Sequence, residues 1–211
     1  MESVERLFAL QLLEIKAVLL RPDDPFTWAS GWHSPIYCDN RKILSYPEIR
    51  SKAATEMAKR IAAEYPEAEI IAGVATGAIA IGALVADRLG KPFIYVRPKP
   101  KDHGTGSQIE GILEKGRKVV VVEDLISTGM SSLAAVAALR NAGACVLGMT
   151  AIFTYGFNIA SERFREAGVK LDTLSDYTAL VEAVKATGYI KDSDYQVLQE
   201  WRRSPETWGQ K

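Results

Sequence analysis

The sequence predicts an α/β protein with a central parallel sheet, helices on both faces of that sheet and a small amino-terminal subdomain. From Ile70 onward, short apolar strands alternate with helices, a pattern typical of a covered parallel sheet. The strand predicted at 118–122 is so apolar that both of its faces must be covered. Residues 1–45 do not follow this alternation, so we assign them to a subdomain separate from a core spanning 46–211.

The individual elements follow from apolar spacing and from the positions of proline and glycine. Helical spacing predicts a first helix over 4–20, and short strands are expected within 26–40. Further helices are predicted at 47–65, 78–89, 131–142, 158–167, 176–186 and 193–201. Strands are predicted at 70–74, 92–96, 118–122 and 146–153 and from 171, whereas 97–116 is polar, lacks periodicity and is expected to be a loop.

Composition narrows the class of protein. The 211 residues carry 26 basic and 26 acidic side chains, so the net charge is zero, and no nucleic-acid partner is implied. The amino terminus lacks the basic and small-residue features of a signal peptide, and no apolar run approaches the roughly 20 residues that span a bilayer. Two distant cysteines, Cys38 and Cys145, indicate free thiols. We therefore expect a cytoplasmic protein with no membrane partner.

The strongest functional signal lies at 119–132, where a valine-rich strand leads into two acids, a hydroxyl-rich turn and a helix. The turn and the start of the helix offer N–H groups and hydroxyls that suit a phosphate. Glu123 and Asp124 can accept hydrogen bonds from a ribose diol, which explains carboxylates beside a phosphate site. The segment therefore predicts a ribose 5-phosphate site. The alternative is a surface turn with an acidic pair and a helix cap.

A second candidate is the basic stretch 97–106, which follows the strand predicted at 92–96. Its two glycines permit movement and its two prolines disfavour a helix. A mobile basic lid suits a pyrophosphate leaving group, whose charge grows as its bond breaks. The alternative is a solvated run of charges.

The acid and turn segment resembles the phosphoribosyl pyrophosphate signature of the type I phosphoribosyltransferases, a family with a Rossmann-like core. The resemblance implies that the acids hold the ribose hydroxyls and that the turn holds the 5-phosphate. The binding residues that it implies here are Glu123, Asp124, Leu125, Ile126, Ser127, Thr128, Gly129, Met130 and Ser131. Met130 stands where many members of the family have a polar residue.

The basic stretch narrows the resemblance, because its Arg-x-x-x-Lys-x-His-Gly pattern is similar to the flexible catalytic loop of orotate phosphoribosyltransferases. The resemblance implies that Arg97, Lys101 and His103 are catalytic and contact the pyrophosphate. It also implies a homodimer in which loop 97–106 acts in the partner's site. Pro98 replaces a lysine found in some members of the family.

The amino-terminal subdomain carries a further resemblance. Residues 30–37 are similar to the Ser-Gly-x-Lys-Ser-Pro-x-Tyr segment that forms a hood over the base in orotate phosphoribosyltransferases, with His33 in place of the lysine. The resemblance implies that Tyr37 covers the base. Some relatives have an arginine for the orotate carboxylate near Tyr155, so in this chain Ser127, backbone amides or the hood would make that contact.

A turn of small residues follows the strand at 70–74 and comprises Ala75, Thr76 and Gly77. Small residues let a ligand approach the backbone, although a tight strand-to-helix turn explains the composition equally well. The family has a pyrophosphate-binding loop here, often with a non-proline cis peptide. Some relatives have a lysine at the position of Gly77.

Together these segments imply an orotate phosphoribosyltransferase, a pentosyltransferase of de novo pyrimidine biosynthesis. Its substrates would be orotate and phosphoribosyl pyrophosphate, and its products orotidine 5-monophosphate and pyrophosphate. Mg²⁺ would be the cofactor, held through the substrate rather than by protein ligands. The alternatives are a purine-type phosphoribosyltransferase and a non-catalytic regulator that senses phosphoribosyl pyrophosphate.

Overall fold

A computed structural model describes residues 3–28, 30–99 and 107–209. Its helices are α1 Val4–Glu14, α2 Pro47–Glu64, α3 Ile79–Leu89, α4 Met130–Asn141, α5 Asn158–Glu166, α6 Tyr177–Ala186 and α7 Asp192–Arg203, with a 3₁₀ helix at Asn40–Ser45. Its strands are β1 Val18–Leu20, β2 Phe26–Thr27, β3 His33–Ser34, β4 Ile36–Cys38, β5 Ile70–Val74, β6 Phe93–Val96, β7 Ile109–Glu110, β8 Lys118–Ile126, β9 Cys145–Thr154 and β10 Leu171–Asp176. Among the described residues, no helix combines the length and the apolarity needed to cross a membrane.

Contacts divide the chain into two units. The sheet unit is Ile43–Leu174, and the terminal unit combines Met1–Lys42 with Ser175–Lys211. The amino-terminal division falls close to the boundary predicted after residue 45, but the carboxyl-terminal helices, assigned from sequence to the core, group with the amino-terminal segment. The reason is local packing, because the fully buried Trp201 donates its indole N–H to the carbonyl of His33 at 3.1 Å.

The sheet unit contains the predicted parallel sheet. Six strands lie in the order β10-β9-β8-β5-β6-β7, and β5, β6, β8 and β9 pair in parallel. The edge strand β7 is antiparallel to β6. The α/β prediction is confirmed. The expectation that 97–116 is a loop without strands is wrong, because Ile109 and Glu110 pair with Val96 and Tyr95.

The valine strand β8 has both faces covered, as its composition predicted. Val119 and Val121 pack in a core that includes Val136 and Leu139 of α4, and all four valines from 119 to 122 are fully buried. On the sheet's other strands, α3 packs against β5 and α2 contacts β9. Burial of this apolar surface fixes the strand and leaves its carboxyl end to carry polar groups.

The strand β8 is longer than predicted. It continues from Val122 to Ile126 because β9 pairs with it as far as Thr154. On its other side the pairing with β5 ends where Gly73 meets Val122. The two acids therefore lie within an extension of β8 that has a strand neighbour on one side only, rather than after the strand.

The terminal unit contains the short strands expected within 26–40. β2 pairs with β3, and β1 pairs with β4, in both cases antiparallel. The predicted helix over 4–20 is wrong in its last third, because α1 ends at Glu14, Lys16 takes a left-handed φ of 55°, and Val18–Leu20 joins β4. Both cysteines are free, as expected, with Cys38 buried and Cys145 exposed.

Candidate active site

The acidic pair is split between two environments. Glu123 is only 5% exposed, and its two carboxylate oxygens accept hydrogen bonds from the Ser132 hydroxyl at 2.9 Å and from the Asp124 backbone N–H at 3.0 Å. Burial, together with the neighbouring charge of Asp124, raises the pKa of Glu123 well above its usual range. Asp124 is only half-buried, so it is the more accessible carboxylate of the pair.

The Asp124 carboxyl group lies against Gly77, in the turn that follows β5. A Cβ atom added to Gly77 would collide with all three atoms of that carboxyl group. The Asp124 carboxyl group can approach Gly77 because the pairing of β5 with β8 ends at Val122. The turn after β5 therefore lies beside the extension of β8. Glycine at 77 therefore keeps room for the carboxyl group.

The turn that leads from β8 into α4 presents backbone groups. Leu125 and Ile126 still belong to β8. Ile126 is fully buried, so it can offer a ligand only its backbone, whereas Leu125 is half-buried. Gly129 has a left-handed φ of 76°, which favours glycine, and no described side chain caps the helix that begins at Met130. The first N–H groups of α4 can therefore be satisfied by an anion.

The hydroxyl residues of the turn are accessible to different degrees. Ser127 and Thr128 are half-buried and Ser131 is exposed. The Met130 side chain is 67% exposed and points away from the core. The serine and threonine hydroxyls can therefore add to the backbone donors, whereas Met130 offers only its N–H.

Helix α5 packs against this turn, and the sequence did not predict these contacts. The Arg163 guanidinium donates to the carbonyl of Thr128 at 2.9 Å. The next residue, Phe164, lies against Gly129, where an added Cβ would come 2.9 Å from the ring atom Cε2. These contacts join residues about 35 positions apart, so no local pattern in the sequence could have indicated them.

The turn at 75–77 is held by backbone contacts. The peptide bond between Ala75 and Thr76 is cis. Ala75 donates its N–H to Val96 at 2.9 Å, which ties the turn to β6. Within the described ranges, no hydrogen-bond acceptor is found for the N–H groups of Thr76 and Gly77. Two backbone donors therefore remain available beside Asp124 for an oxyanion.

The basic stretch is described only at its beginning. The Arg97 backbone N–H donates to Gln108 at 2.8 Å, and its guanidinium Nη1 lies 3.8 Å from a carboxylate oxygen of Glu110. Lys101 and His103 lie outside the described residues, as does all of 100–106. The structure therefore places Arg97 beside β7 and leaves the other two loop residues as sequence predictions.

The remaining predicted residue, Tyr37, belongs to the terminal unit. It lies in β4, is 40% exposed, and its ring centroid is 5.6 Å from that of Phe26. An exposed aromatic ring held by a neighbouring ring is able to stack on a flat ligand.

The sequence is similar to that of known proteins. The model of the phosphoribosyl transferase domain family matches residues 42–181. The orotate phosphoribosyltransferase of Porphyromonas gingivalis is 57% identical over 209 residues, which are 99% of this chain and 100% of that protein.

Solved structures agree. The orotate phosphoribosyltransferase of Aeropyrum pernix is 32% identical with a TM-score of 0.75, and the match covers 87% of this chain and 99% of that one. The UMP synthase of Leishmania donovani is 25% identical with a TM-score of 0.79, and the match covers 94% of this chain but only 42% of that one. The chain therefore belongs to the orotate phosphoribosyltransferases, pentosyltransferases of pyrimidine biosynthesis within the type I phosphoribosyltransferase family.

Proposed function

We propose that this chain transfers the ribose 5-phosphate group of phosphoribosyl pyrophosphate to N1 of orotate, releasing pyrophosphate and forming orotidine 5-monophosphate. The observation that carries the proposal is the acid and turn segment of β8 and α4, with the turn at 75–77 beside Asp124. Carboxylates, an amide-rich turn and a second set of free amides together suit a ligand with a diol and two phosphate groups.

The two acids would hold the ribose. Asp124 is accessible and would accept from a ribose hydroxyl. Glu123 already accepts two hydrogen bonds from the chain, but each carboxylate oxygen has a second lone pair for a substrate hydroxyl. The 5-phosphate would lie on the turn from Ser127 to Ser131, and the pyrophosphate on the amides of Thr76 and Gly77.

Catalysis would consist mainly of stabilising the leaving group and positioning the reactants. The bond between ribose and pyrophosphate breaks with positive charge on the sugar and growing negative charge on pyrophosphate. Arg97 and Lys101 would neutralise that negative charge, and His103 would hydrogen-bond or protonate it. We propose that loop 97–106 acts in the partner's site of a homodimer and excludes water when it closes.

Mg²⁺ is the cofactor that the family implies. Among the described residues, no group of three or more metal-ligating side chains lies together. We propose that the ion would be held through oxygens of the substrate, with Asp124 near the ribose hydroxyls. When bound, the ion would supply positive charge to the pyrophosphate.

Orotate would be recognised by two of the predicted residues. Tyr37 would stack on the pyrimidine ring, and Ser127 would hydrogen-bond to orotate, as the family resemblance implies. No observation in the structure favours the purine-type enzyme or the non-catalytic regulator over this assignment.

A spectrophotometric assay tests the proposal. We expect folded wild-type protein, with phosphoribosyl pyrophosphate and Mg²⁺, to remove the absorbance of orotate. Lys101→Ala should lower kcat by about 100-fold or more with a smaller change in KM, because a donor aimed at developing charge acts mainly in the transition state. Lys99→Ala, a charge-matched change in the same loop, is the control and should cost far less. Absence of orotate consumption by folded wild-type protein would overturn the assignment.

A further inference from the structure

We infer that Arg163 is a positioning residue for the 5-phosphate, because it fixes the peptide between Thr128 and Gly129 so that the Gly129 N–H faces the bound phosphate. This inference rests on the proposed function, which places the 5-phosphate on the turn that follows β8. It assigns a role to α5, a helix that carries none of the residues predicted from sequence.

The first argument is the geometry of one peptide unit. The Arg163 guanidinium binds the carbonyl oxygen of Thr128 at 2.9 Å from the α5 side of the turn. In a planar trans peptide, the C=O and the following N–H point in opposite directions. A carbonyl tied towards α5 therefore sends the Gly129 N–H away from α5, into the concave side of the turn.

The second argument is that the same peptide is held from behind. The Phe164 ring lies against the Cα of Gly129, so the turn cannot retreat towards α5. Gly129 also needs its left-handed φ of 76°. Consecutive residues of α5 thus hold consecutive residues of the turn, one by a hydrogen bond and one by packing.

The third argument is charge. The turn offers neutral donors, while Glu123 and Asp124 lie a few residues upstream, and the ligand's phosphate adds further negative charge. Within the described ranges, the contact found for the Arg163 guanidinium is its hydrogen bond to the Thr128 carbonyl. A guanidinium bound to the Thr128 carbonyl polarises the peptide and makes its N–H a stronger donor. Arg163 therefore brings positive charge to the phosphate through one peptide rather than by direct contact.

Ligand binding to three variants tests this role without depending on turnover. Isothermal titration calorimetry would use ribose 5-phosphate as the probe of the 5-phosphate site and inorganic pyrophosphate as the probe of the other site. Arg163→Met removes the charged donor and should weaken ribose 5-phosphate binding about tenfold, the effect of one charge-assisted hydrogen bond. Pyrophosphate binding should be unchanged. Arg163→Lys keeps a charged donor and should retain most of the affinity.

The matched control is Arg165→Met, on an exposed position of the same helix, which should bind both probes like the wild type. In steady-state kinetics, Arg163→Met should raise KM for phosphoribosyl pyrophosphate and leave KM for orotate nearly unchanged. Unchanged ribose 5-phosphate binding in Arg163→Met would overturn the inference. Equal weakening of both probes, or an Arg163→Lys protein no better than Arg163→Met, would also overturn it, since packing alone would then explain the contact.

The result that would overturn the proposed function differs from the one that would overturn the role of Arg163. Wild-type protein that binds ribose 5-phosphate but does not consume orotate would refute the transferase assignment, while the comparison of the Arg163 variants would still stand.

Discussion

The acidic side chains at the two ends of the central sheet have different hydrogen-bond partners. At the amino end, Arg117 lies between Glu69 and Glu114, with Nη1 2.9 Å from one carboxylate and Nη2 2.5 Å from the other. At the carboxyl end, Glu123 and Asp124 are adjacent acids, and the hydrogen bonds found for Glu123 among the described residues come from neutral donors. The amino end pairs its acids with Arg117, whereas the carboxyl end offers carboxyl oxygens as acceptors to a ligand that brings donors.

Ionisation follows the same division. The Glu123 pKa is raised by burial and by Asp124, so its surroundings disfavour the charged form. The Glu69 pKa is lowered by hydrogen bonds from the Lys118 N–H and from Arg117, so its surroundings favour the charged form. Groups whose surroundings oppose their charge are typical of functional sites. We therefore expect changes at the carboxyl end to impair activity and changes at the amino end to affect stability alone.

The largest effect is expected at Asp124. Asp124→Asn should lower kcat/KM by about 100-fold or more, because it removes an ionised acceptor of the ribose hydroxyls. The free energy of unfolding should stay equal or rise, since the variant relieves repulsion with Glu123. Steady-state kinetics and urea unfolding measure the two quantities. Glu114→Gln, at the amino end, is the control and should leave kcat/KM unchanged. An equal loss of kcat/KM in both variants would contradict the claim that only the carboxyl end of the sheet serves the reaction.

A smaller effect is expected at Gly77. Gly77→Ala places a Cβ where the Asp124 carboxyl group now lies, so the carboxyl group must move. We expect KM for phosphoribosyl pyrophosphate to rise about tenfold, the cost of one displaced charged hydrogen bond. Kinetics at varied phosphoribosyl pyrophosphate would show this. An unchanged KM would mean that the carboxyl group adapts without loss or does not contact the substrate.

The dependence of stability on pH should differ in sign between the two ends. The raised pKa of Glu123 gives stability that is present below its unfolded pKa, about 4.3, and is lost as pH rises through its folded pKa. Glu123→Gln should therefore gain stability relative to wild type as pH rises. The lowered pKa of Glu69 gives stability that is lost as pH falls, so Glu69→Gln should be less stable than wild type at neutral pH.

Urea unfolding of both variants from pH 4 to pH 8 checks these signs. If Glu123→Gln and Glu69→Gln changed in the same direction relative to wild type, the electrostatic contrast between the two ends would be contradicted.

The smallest effect is expected from Arg117→Ala. It removes exposed ion pairs, which contribute little and are screened by salt. We expect a slight fall in Tm that shrinks at high salt, with kcat/KM equal to that of the wild type. Thermal unfolding at two salt concentrations, beside the orotate assay, measures both. A clear loss of activity would show that the amino end also serves the reaction.

The local sequence pattern predicted most strands and helices of the sheet unit, because the spacing of apolar residues within each segment depends only on neighbouring residues. It failed where long-range pairing decides the outcome. Ile126 is in a strand because β9 pairs with it, and Ile109 is in a strand because it pairs with Val96. The segment at 18–20 is a strand rather than helix because β4 pairs with it.

The candidate site shows the same limit. The residues of the acid and turn segment were found because strand, acids, turn and helix follow one another in the chain. Arg163 and Phe164 were not found, because their contacts with Thr128 and Gly129 exist only in the folded protein. Nor could the sequence predict that Glu123 would be buried on Ser132 while Asp124 stays accessible.

The most direct measurement is the unfolding free energy of wild type and Asp124→Asn as phosphoribosyl pyrophosphate is added with Mg²⁺. A ligand that binds only the folded protein stabilises it by about 2.7 kcal/mol at 100 times its Kd. We expect that gain for the wild type and a much smaller gain for Asp124→Asn at the same concentration. Equal stabilisation of the two proteins, or none of the wild type, would contradict a phosphoribosyl pyrophosphate site built on the acids of β8.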